Sequence, residues 1–374
     1  MQTDQAGSVS ARLHALIAKA TADNGGWLPF DRFMAMALYA PGLGYYASGS
    51  RQFGLMPDSG SDFVTAPELS PLFGRTLARQ LAQALAACGG DEIFEFGAGS
   101  GALADQLIAE LDALGCQLRR YSIVDLSGSL RTLQQHRLAG WADRVRWLDE
   151  LPPVIDGVIV GNEVLDAMPV QLLHFAGGQW WQRGVGFDGQ AQRFFWSDRL
   201  TDSRPPGDQH WVPGSTLEIH PQAEAFIGTL VDRMSRAVAF FIDYGFPQGE
   251  YYHPQRHQGT LVCHRGHRVD DDPLADVGDK DITAHVNFSA LALAAQDAGA
   301  EVIGYASQAR FLLNCGLAPL MGSADLKQRT HAQRLVNEHE MGELFKVLAF
   351  AKGCDENLAA NAIGFVQGDR SHTL

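Results

Sequence analysis

Positive charge is scarce in this chain. Against 43 Asp and Glu stand only 29 Lys and Arg, a formal net charge of −14 over 374 residues. That balance argues against a protein that grips nucleic acid through a basic surface, and it leaves room for a basic protein or peptide partner. Long apolar runs are missing too. None approaches the roughly 20 residues that span a bilayer, so no membrane insertion is expected. The five cysteines (Cys88, Cys116, Cys263, Cys315 and Cys354) are scattered, odd in number and without a C-x-x-C pair. A disulfide framework is disfavoured, and a reduced compartment is the plain reading. At Met1–Gln2–Thr3–Asp4–Gln5 there is neither a charged-then-apolar signal nor an Arg-rich transit pattern. The expectation is a soluble, cytoplasmic protein whose oligomeric state is not legible. Internal repeats and low-complexity tracts are also absent. The 46% apolar content suffices for one large or two modest domains.

What the chain has in quantity is glycine, 40 residues of it, and three of these organise the rest. In Glu92–Ile93–Phe94–Glu95–Phe96–Gly97–Ala98–Gly99–Ser100–Gly101 an apolar run reads as a buried strand ending in alternate glycines. Ala102, Leu103, Leu107, Ile108, Leu111 and Leu114 follow with helical spacing. Strand, glycine turn and helix form the nucleotide-binding opening of a doubly wound α/β sheet. The glycines let backbone approach a ligand, and the helix N-terminus offers it unpaired N–H groups. Two cofactor classes fit. Gly97, Gly99 and Ala102 satisfy the looser dinucleotide pattern G-x-G-x-x-A, an NAD reading. Glu95 weighs against it, because a carboxylate repels a pyrophosphate and attracts the ammonium and sulfonium of S-adenosyl-L-methionine. Glu95, Gly97, Gly99 and Gly101 together make E-x-G-x-G-x-G, the usual cradle for the methionine end of that cofactor.

Residues 1–90 read as N-terminal helices and a lid loop. Helices are expected over Val9–Ala22 and Phe30–Tyr39, and a third begins near Thr65 or Ser70. The stretch between them holds Tyr45, Tyr46 and Phe53, which either form an aromatic lid over cofactor or substrate or pin the N-terminal helices to the sheet. Residues 91–170 read as the cofactor-binding half of a Rossmann-like core. Its second strand closes on Asp125, where a carboxylate accepts ribose hydroxyls; adenosine is common to both cofactors, so Asp125 does not choose. Val145–Leu148 is the third strand, with Asp149 and Glu150 either meeting the adenine amino group or lying in a solvated turn. Asp156–Gly161 is the fourth, and the loop from Asn162 faces the cofactor. Residues 171–235 change character: glycine turns at Gly177–Gly178 and Asp188–Gly189 mark an inserted antiparallel β-meander, followed by a helix. Residues 236–374 complete the core. There Val238–Gly245 forms the fifth strand, Val302–Tyr305 and Phe345–Phe350 the closing strands. His253, His257, His264 and His267 flank a predicted strand at Thr260–Val262 with spacings that match no common ligand pattern, so no metal is expected.

Several stretches together resemble the MidA-like family, bacterial and mitochondrial relatives of a methyltransferase that assists assembly of respiratory complex I. They are Tyr39–Ala40–Pro41 with Gly44–Tyr45–Tyr46, Asp62 to Ser70, Glu95 to Gly101, Asn162 to Val170, Ile242–Asp243–Tyr244–Gly245, Asp281 to Val286, and Met341 to Lys346. They run in order over nearly the whole chain. His210–Trp211 to Glu218 is the one stretch without a match. The resemblance implies a class I methyltransferase fold: a mostly parallel seven-stranded sheet with family-specific insertions. It implies S-adenosyl-L-methionine as cofactor and a protein substrate. Mitochondrial members are associated with symmetric dimethylation of an arginine in a complex I subunit.

Methyl transfer from a sulfonium is an in-line displacement, so the protein mainly aligns donor and acceptor. A guanidinium acceptor is cationic and delocalised, and carboxylates orient it. Glu163 and Asp166, three apart after the fourth strand, are the expected catalytic pair: Glu163 on the guanidinium, Asp166 orienting it, supporting the loop or capping a helix from Ala167. Asp243 and Tyr244 line the acceptor pocket, or else Asp243 binds loop backbone. His285 takes the departing proton, or is a core histidine. Two other functions stay open at this point: an NAD-dependent oxidoreductase, and a non-enzymatic assembly factor that binds the cofactor only for stability.

Overall fold

The computed structural model describes residues 8–48, 65–125, 128–207, 211–265 and 268–374, with backbone only at 128 and 129. Two N-terminal helices form where apolar spacing places them, α1 (Val9–Asp23) and α2 (Phe30–Tyr39). After α2 the chain curls back on the helix end, with the N–H groups of Tyr45 and Tyr46 bonded to the carbonyls of Ala37 and Leu38, each at 2.9 Å. Gly44 makes the curl possible, since a Cβ there would meet the Leu38 carbonyl at 2.6 Å. A one-turn helix α3 (Ala66–Leu69) leads into α4 (Pro71–Cys88). Thr65 makes no side-chain cap bond; Ser70 does, its Oγ accepting the Leu72 N–H at 3.3 Å. Phe53 lies outside the described residues.

The main sheet contains β1 (Glu92–Phe96), β2 (Arg120–Val124), β3 (Val145–Leu148), β4 (Ile155–Asn162), β5 (Met234–Phe246), β6 (Glu301–Ser307) and β7 (Phe345–Lys352). Its order is β3-β2-β1-β4-β5-β7-β6. All pairings are parallel except those of β7, which runs antiparallel to both β5 and β6. This is the Rossmann-like class I methyltransferase sheet expected from the sequence, with a two-residue strand, Val286–Asn287, added beside the end of β5.

Side chains alternate between two faces. Ile93, Val158, Val160 and Phe240 pack with α4 and with α5 (Ala102–Ala113), which joins β1 to β2. Phe94, Phe96, Ile159 and Phe241 pack on the other face with α7 (Pro221–Arg233) and α8 (Phe288–Asp297). Another helix, α6 (Gly128–Arg137), follows β2. The central strands β1, β4 and β7 are thus buried on both sides, the reason these runs read as near-continuous apolar stretches.

The meander forms as the glycine turns predict, over Gln171–Ala176, Gln179–Asp188 and Arg193–Leu200. Thr216–Ile219 and Leu28–Pro29 join the same sheet. Leu13, Ile17, Phe33 and Leu38 of the N-terminal helices share a core with Leu172, Val185 and Phe194 of this sheet. The strand expected at Thr260–Val262 lies further on, at Val262–Arg265, pairing with Asp281–Thr283. No helix starts at Ala167, so Asp166 caps nothing; the loop continues as a turn to Pro169.

Candidate active site

In the sheet order β1 lies between β2 and β4, so the connections leaving it diverge. That is the switch point at which open α/β sheets bind ligands. A cavity of about 600 Å³ opens there, within the range of small-molecule sites. Glu95, Gly97, Gly99, Asp125, Asp149, Glu150, Asn162 and Glu163 line it, together with Tyr39, Tyr46, Thr65 and Pro67 from the N-terminal segment.

The three glycines have φ of 62°, 53° and 83° at Gly97, Gly99 and Gly101, a region that side chains rarely enter. Gly101 caps α5 instead of lining the cavity. A residue that the sequence does not advertise ties this turn to Asp125. Gln134 Nε2 donates to Asp125 Oδ2 at 2.8 Å and to the Gly99 carbonyl at 2.9 Å, while Gln134 Oε1 accepts from Trp147 Nε1 at 2.8 Å. On paper Gln134 is one polar residue of a polar helix; only its complete burial marks it.

Glu95 is buried within the sheet, where the Tyr121 hydroxyl donates to Oε2 at 2.7 Å. Burial raises its carboxyl to about 8; the Tyr121 bond opposes the rise and the Asp125 charge adds to it. A cationic ligand reverses that shift by favouring the carboxylate. The geometry suits an ammonium or sulfonium and offers nothing to a pyrophosphate at this position.

Beside β1, β4 ends in Asn162, whose Nδ2 donates to Glu163 Oε1 at 2.9 Å, leaving Oδ1 buried with no partner among the described residues. Glu163 has a φ of 54°, the left-handed region, and its N–H is fixed to the Ile242 carbonyl at 2.9 Å. A non-glycine residue held there stores strain, of order 1–3 kcal/mol, and such positions cluster at functional sites. Burial pushes the Glu163 carboxyl up to about 8, and the nearby Asp166 charge pushes the same way.

Asp243 holds this loop in place. Its Oδ2 accepts the N–H groups of Val164, Leu165 and Asp166 at 3.1, 2.9 and 3.3 Å, and Oδ1 accepts the Tyr244 N–H at 2.9 Å. Of its two expected places Asp243 takes the second: its oxygens are taken up by loop backbone and it does not line the cavity. Tyr244 and Asp166 lie behind the same loop, outside the lining. The Tyr244 hydroxyl bonds Asp166, opposing the burial that raises this carboxyl to about 6.

His285 stacks on Phe246 at 5.3 Å and meets the Tyr244 ring edge at 5.0 Å, with its pKa lowered to about 4 by burial and by Arg256 and Lys346. It is a packed aromatic neighbour of Tyr244 and does not line the cavity, the core-histidine alternative of the two. The two tyrosines of the N-terminal curl divide. Tyr45 is a core residue, whereas Tyr46 lines the cavity and donates its hydroxyl to Asp281 Oδ2 at 2.7 Å. Tyr39 stacks on Tyr46 at 5.6 Å and donates to the Ala167 carbonyl at 2.9 Å. Tyr39 and Asp281 have no signal of their own in the sequence beyond the stretches that carry the family resemblance.

Comparison with known proteins supplies the family and its cofactor. Residues 76–306 match the Methyltransf_28 family of S-adenosyl-L-methionine-dependent methyltransferases. A crystal structure from Burkholderia thailandensis, bound to S-adenosyl-homocysteine, is 49% identical with a TM-score of 0.92, covering 100% of this chain and 99% of that one. The Xenopus tropicalis protein arginine methyltransferase NDUFAF7, mitochondrial, is 26% identical, with 91% of this chain and 85% of its own length aligned. Its human counterpart is 27% identical, with 87% and 80% aligned.

The cofactor is S-adenosyl-L-methionine; the NAD and non-enzymatic alternatives fall away. One expectation is overturned. The curated relatives are named as mitochondrial proteins, and free cysteines suit a reducing organelle interior as well as a cytoplasm, so they do not support a cytoplasmic placement. The N-terminal residues on which that expectation also rested lie outside the described residues. With its family model, its MidA-like stretches and its cofactor turn in agreement, the chain belongs to the Methyltransf_28 family of S-adenosyl-L-methionine-dependent methyltransferases.

Proposed function

We propose that this methyltransferase acts on an arginine side chain of a partner protein, with Glu163 holding the guanidinium. The observation that carries the reading is Glu163 itself: a carboxylate in a strained backbone, lining the same cavity as the glycine turn and fixed at one oxygen by Asn162. Burial raises its pKa to about 8, and a docked guanidinium would favour the charged form. The names of the curated relatives support the same acceptor, and the −14 net charge suits a basic partner segment.

S-adenosyl-L-methionine supplies an electrophilic methyl on its sulfonium. Glu95 and the Gly97–Gly101 turn hold its methionine end, and Asp125 takes the ribose hydroxyls. Glu163 localises guanidinium charge and orients one nitrogen toward the methyl carbon. With the cofactor bound, the nitrogen would form the new N–C bond as the C–S bond breaks, leaving S-adenosyl-homocysteine, and the Glu163 carboxylate or solvent would take the released proton. Asp166, with Tyr244 and Asp243, keeps the Glu163 loop in shape. Tyr46 and Tyr39 provide an aromatic wall against which a flat cation stacks. The MidA-like resemblance extends the proposal to symmetric dimethylation of a respiratory complex I subunit.

The test is steady-state kinetics on arginine-containing peptides. Glu163→Gln lowers kcat by about 100-fold or more while the cofactor dissociation constant shifts by less than about threefold. Equal turnover in the variant sinks the assignment.

A further inference from the structure

The one-turn helix α3 crosses the cavity wall between the two ligand sides. Thr65 and Pro67 line the cavity. Toward the acceptor side, the Ala66 N–H donates to the Glu163 carboxylate. Toward the cofactor side, Glu68 Oε1 accepts the Ser100 hydroxyl from within the glycine turn and Arg137 Nη1 of α6 at 2.5 Å. The same Arg137 nitrogen lies 2.5 Å from Ser100 Oγ, which closes a three-membered cluster. The body of the strap is clipped as well: Gln106 Nε2 of α5 donates to the Pro67 carbonyl at 2.7 Å, and Gln106 Oε1 accepts the Gly74 N–H at 3.0 Å.

Ser100 sits between Gly99 and Gly101, both in the left-handed region. The glycines have no side chain to hold, so Ser100 is where a side-chain bond can grip the second half of the turn. It is 6% exposed, and its partner Glu68 is charge-assisted by Arg137. Neither Glu68 nor Arg137 lines the cavity. Their route to the cofactor is through Ser100 and the backbone it fixes.

We propose that Glu68 is a positioning residue for the cofactor: with Arg137 it clamps Ser100 and holds the glycine turn in its ligand-binding shape. The strap carries that clamp to Glu163 through Ala66, so the two carboxylates share one short element. The inference rests on the S-adenosyl-L-methionine site alone and not on the identity of the acceptor.

Calorimetric titration with S-adenosyl-homocysteine and stopped-flow dissociation test it. Glu68→Gln and Arg137→Met each raise the dissociation constant about tenfold, the loss of one charge-assisted hydrogen bond, chiefly through faster dissociation. The double variant is no weaker than either single one, because both open the same clamp. Arg137→Lys recovers part of the affinity, which a merely structural loss would not show. Ligand-free melting temperatures stay close to the parent value. Where Glu68→Gln does not fold, Arg137→Met decides, since its side chain is 34% exposed. Dissociation constants and rates within twofold of the parent overturn the proposal. A parent protein that binds no S-adenosyl-homocysteine instead overturns the cofactor site on which it stands.

Discussion

Tyr121 donates its hydroxyl to Glu95 at 2.7 Å from the neighbouring strand, and both side chains are buried. The bond lowers the Glu95 pKa against the larger effect of burial, leaving it at about 8. Near neutral pH the carboxyl is therefore mostly protonated until a cation arrives. Binding S-adenosyl-L-methionine at pH 7 should then release a proton from Glu95. Calorimetry in buffers of different ionisation enthalpy reads that proton directly. Affinity climbs with pH, by up to about tenfold per unit, until it levels off near pH 8. Glu95→Gln abolishes the proton release and most of the affinity, and Tyr121→Phe moves the plateau to higher pH.

Stability runs the opposite way. Glu95 and Glu163 have carboxyls raised to about 8 in the ligand-free fold against an ordinary 4.5. The folded state then binds more protons than the unfolded one. Their contribution is fully present below about pH 4.5 and is lost as pH rises through 8. The ligand-free melting temperature should fall between about pH 5 and pH 8 and level off above, and the fall should flatten in Glu95→Gln. A melting temperature that rises over this interval contradicts the assignment.

Asp243 gathers three loop N–H groups on one oxygen. Asparagine keeps the shape, yet its amide must turn an N–H₂ toward backbone donors. Asp243→Asn should destabilise the fold by about 2 kcal/mol, and it should lower kcat through the displaced Glu163 loop. Denaturant unfolding and turnover, measured together, check both parts.

Gln134 joins the glycine turn to Asp125. Gln134→Leu leaves the Gly99 carbonyl and Asp125 without that donor. Cofactor affinity should drop about tenfold while acceptor KM stays unchanged. A loss confined to acceptor KM would place Gln134 elsewhere in the mechanism.

Contiguous features were legible in the sequence. Glu95 and its glycines carry their own spacing, and the strand-turn-helix grammar brought the whole sheet with it. Side-chain direction was not legible. Asp243 lies near the end of a strand on the ligand edge, which suggests a ligand contact, but its carboxylate turns into the neighbouring loop. His285 carries a titratable ring, yet Phe246 and Tyr244 enclose it. Gln134, Tyr39 and Glu68 act through contacts with distant segments: residue 39 with 167, and residue 68 with 100 and 137. Periodicity cannot report such pairs. Nor can cysteine count separate one reducing compartment from another.

The most direct measurement is radiolabel transfer from methyl-tritiated S-adenosyl-L-methionine to proteins of an extract from cells lacking this enzyme, followed by acid hydrolysis and amino-acid analysis. Label should appear in methylated arginine with the parent protein and disappear with Glu163→Gln. Label in another amino acid or in small molecules, or label undiminished in the variant, would contradict an arginine acceptor held by Glu163.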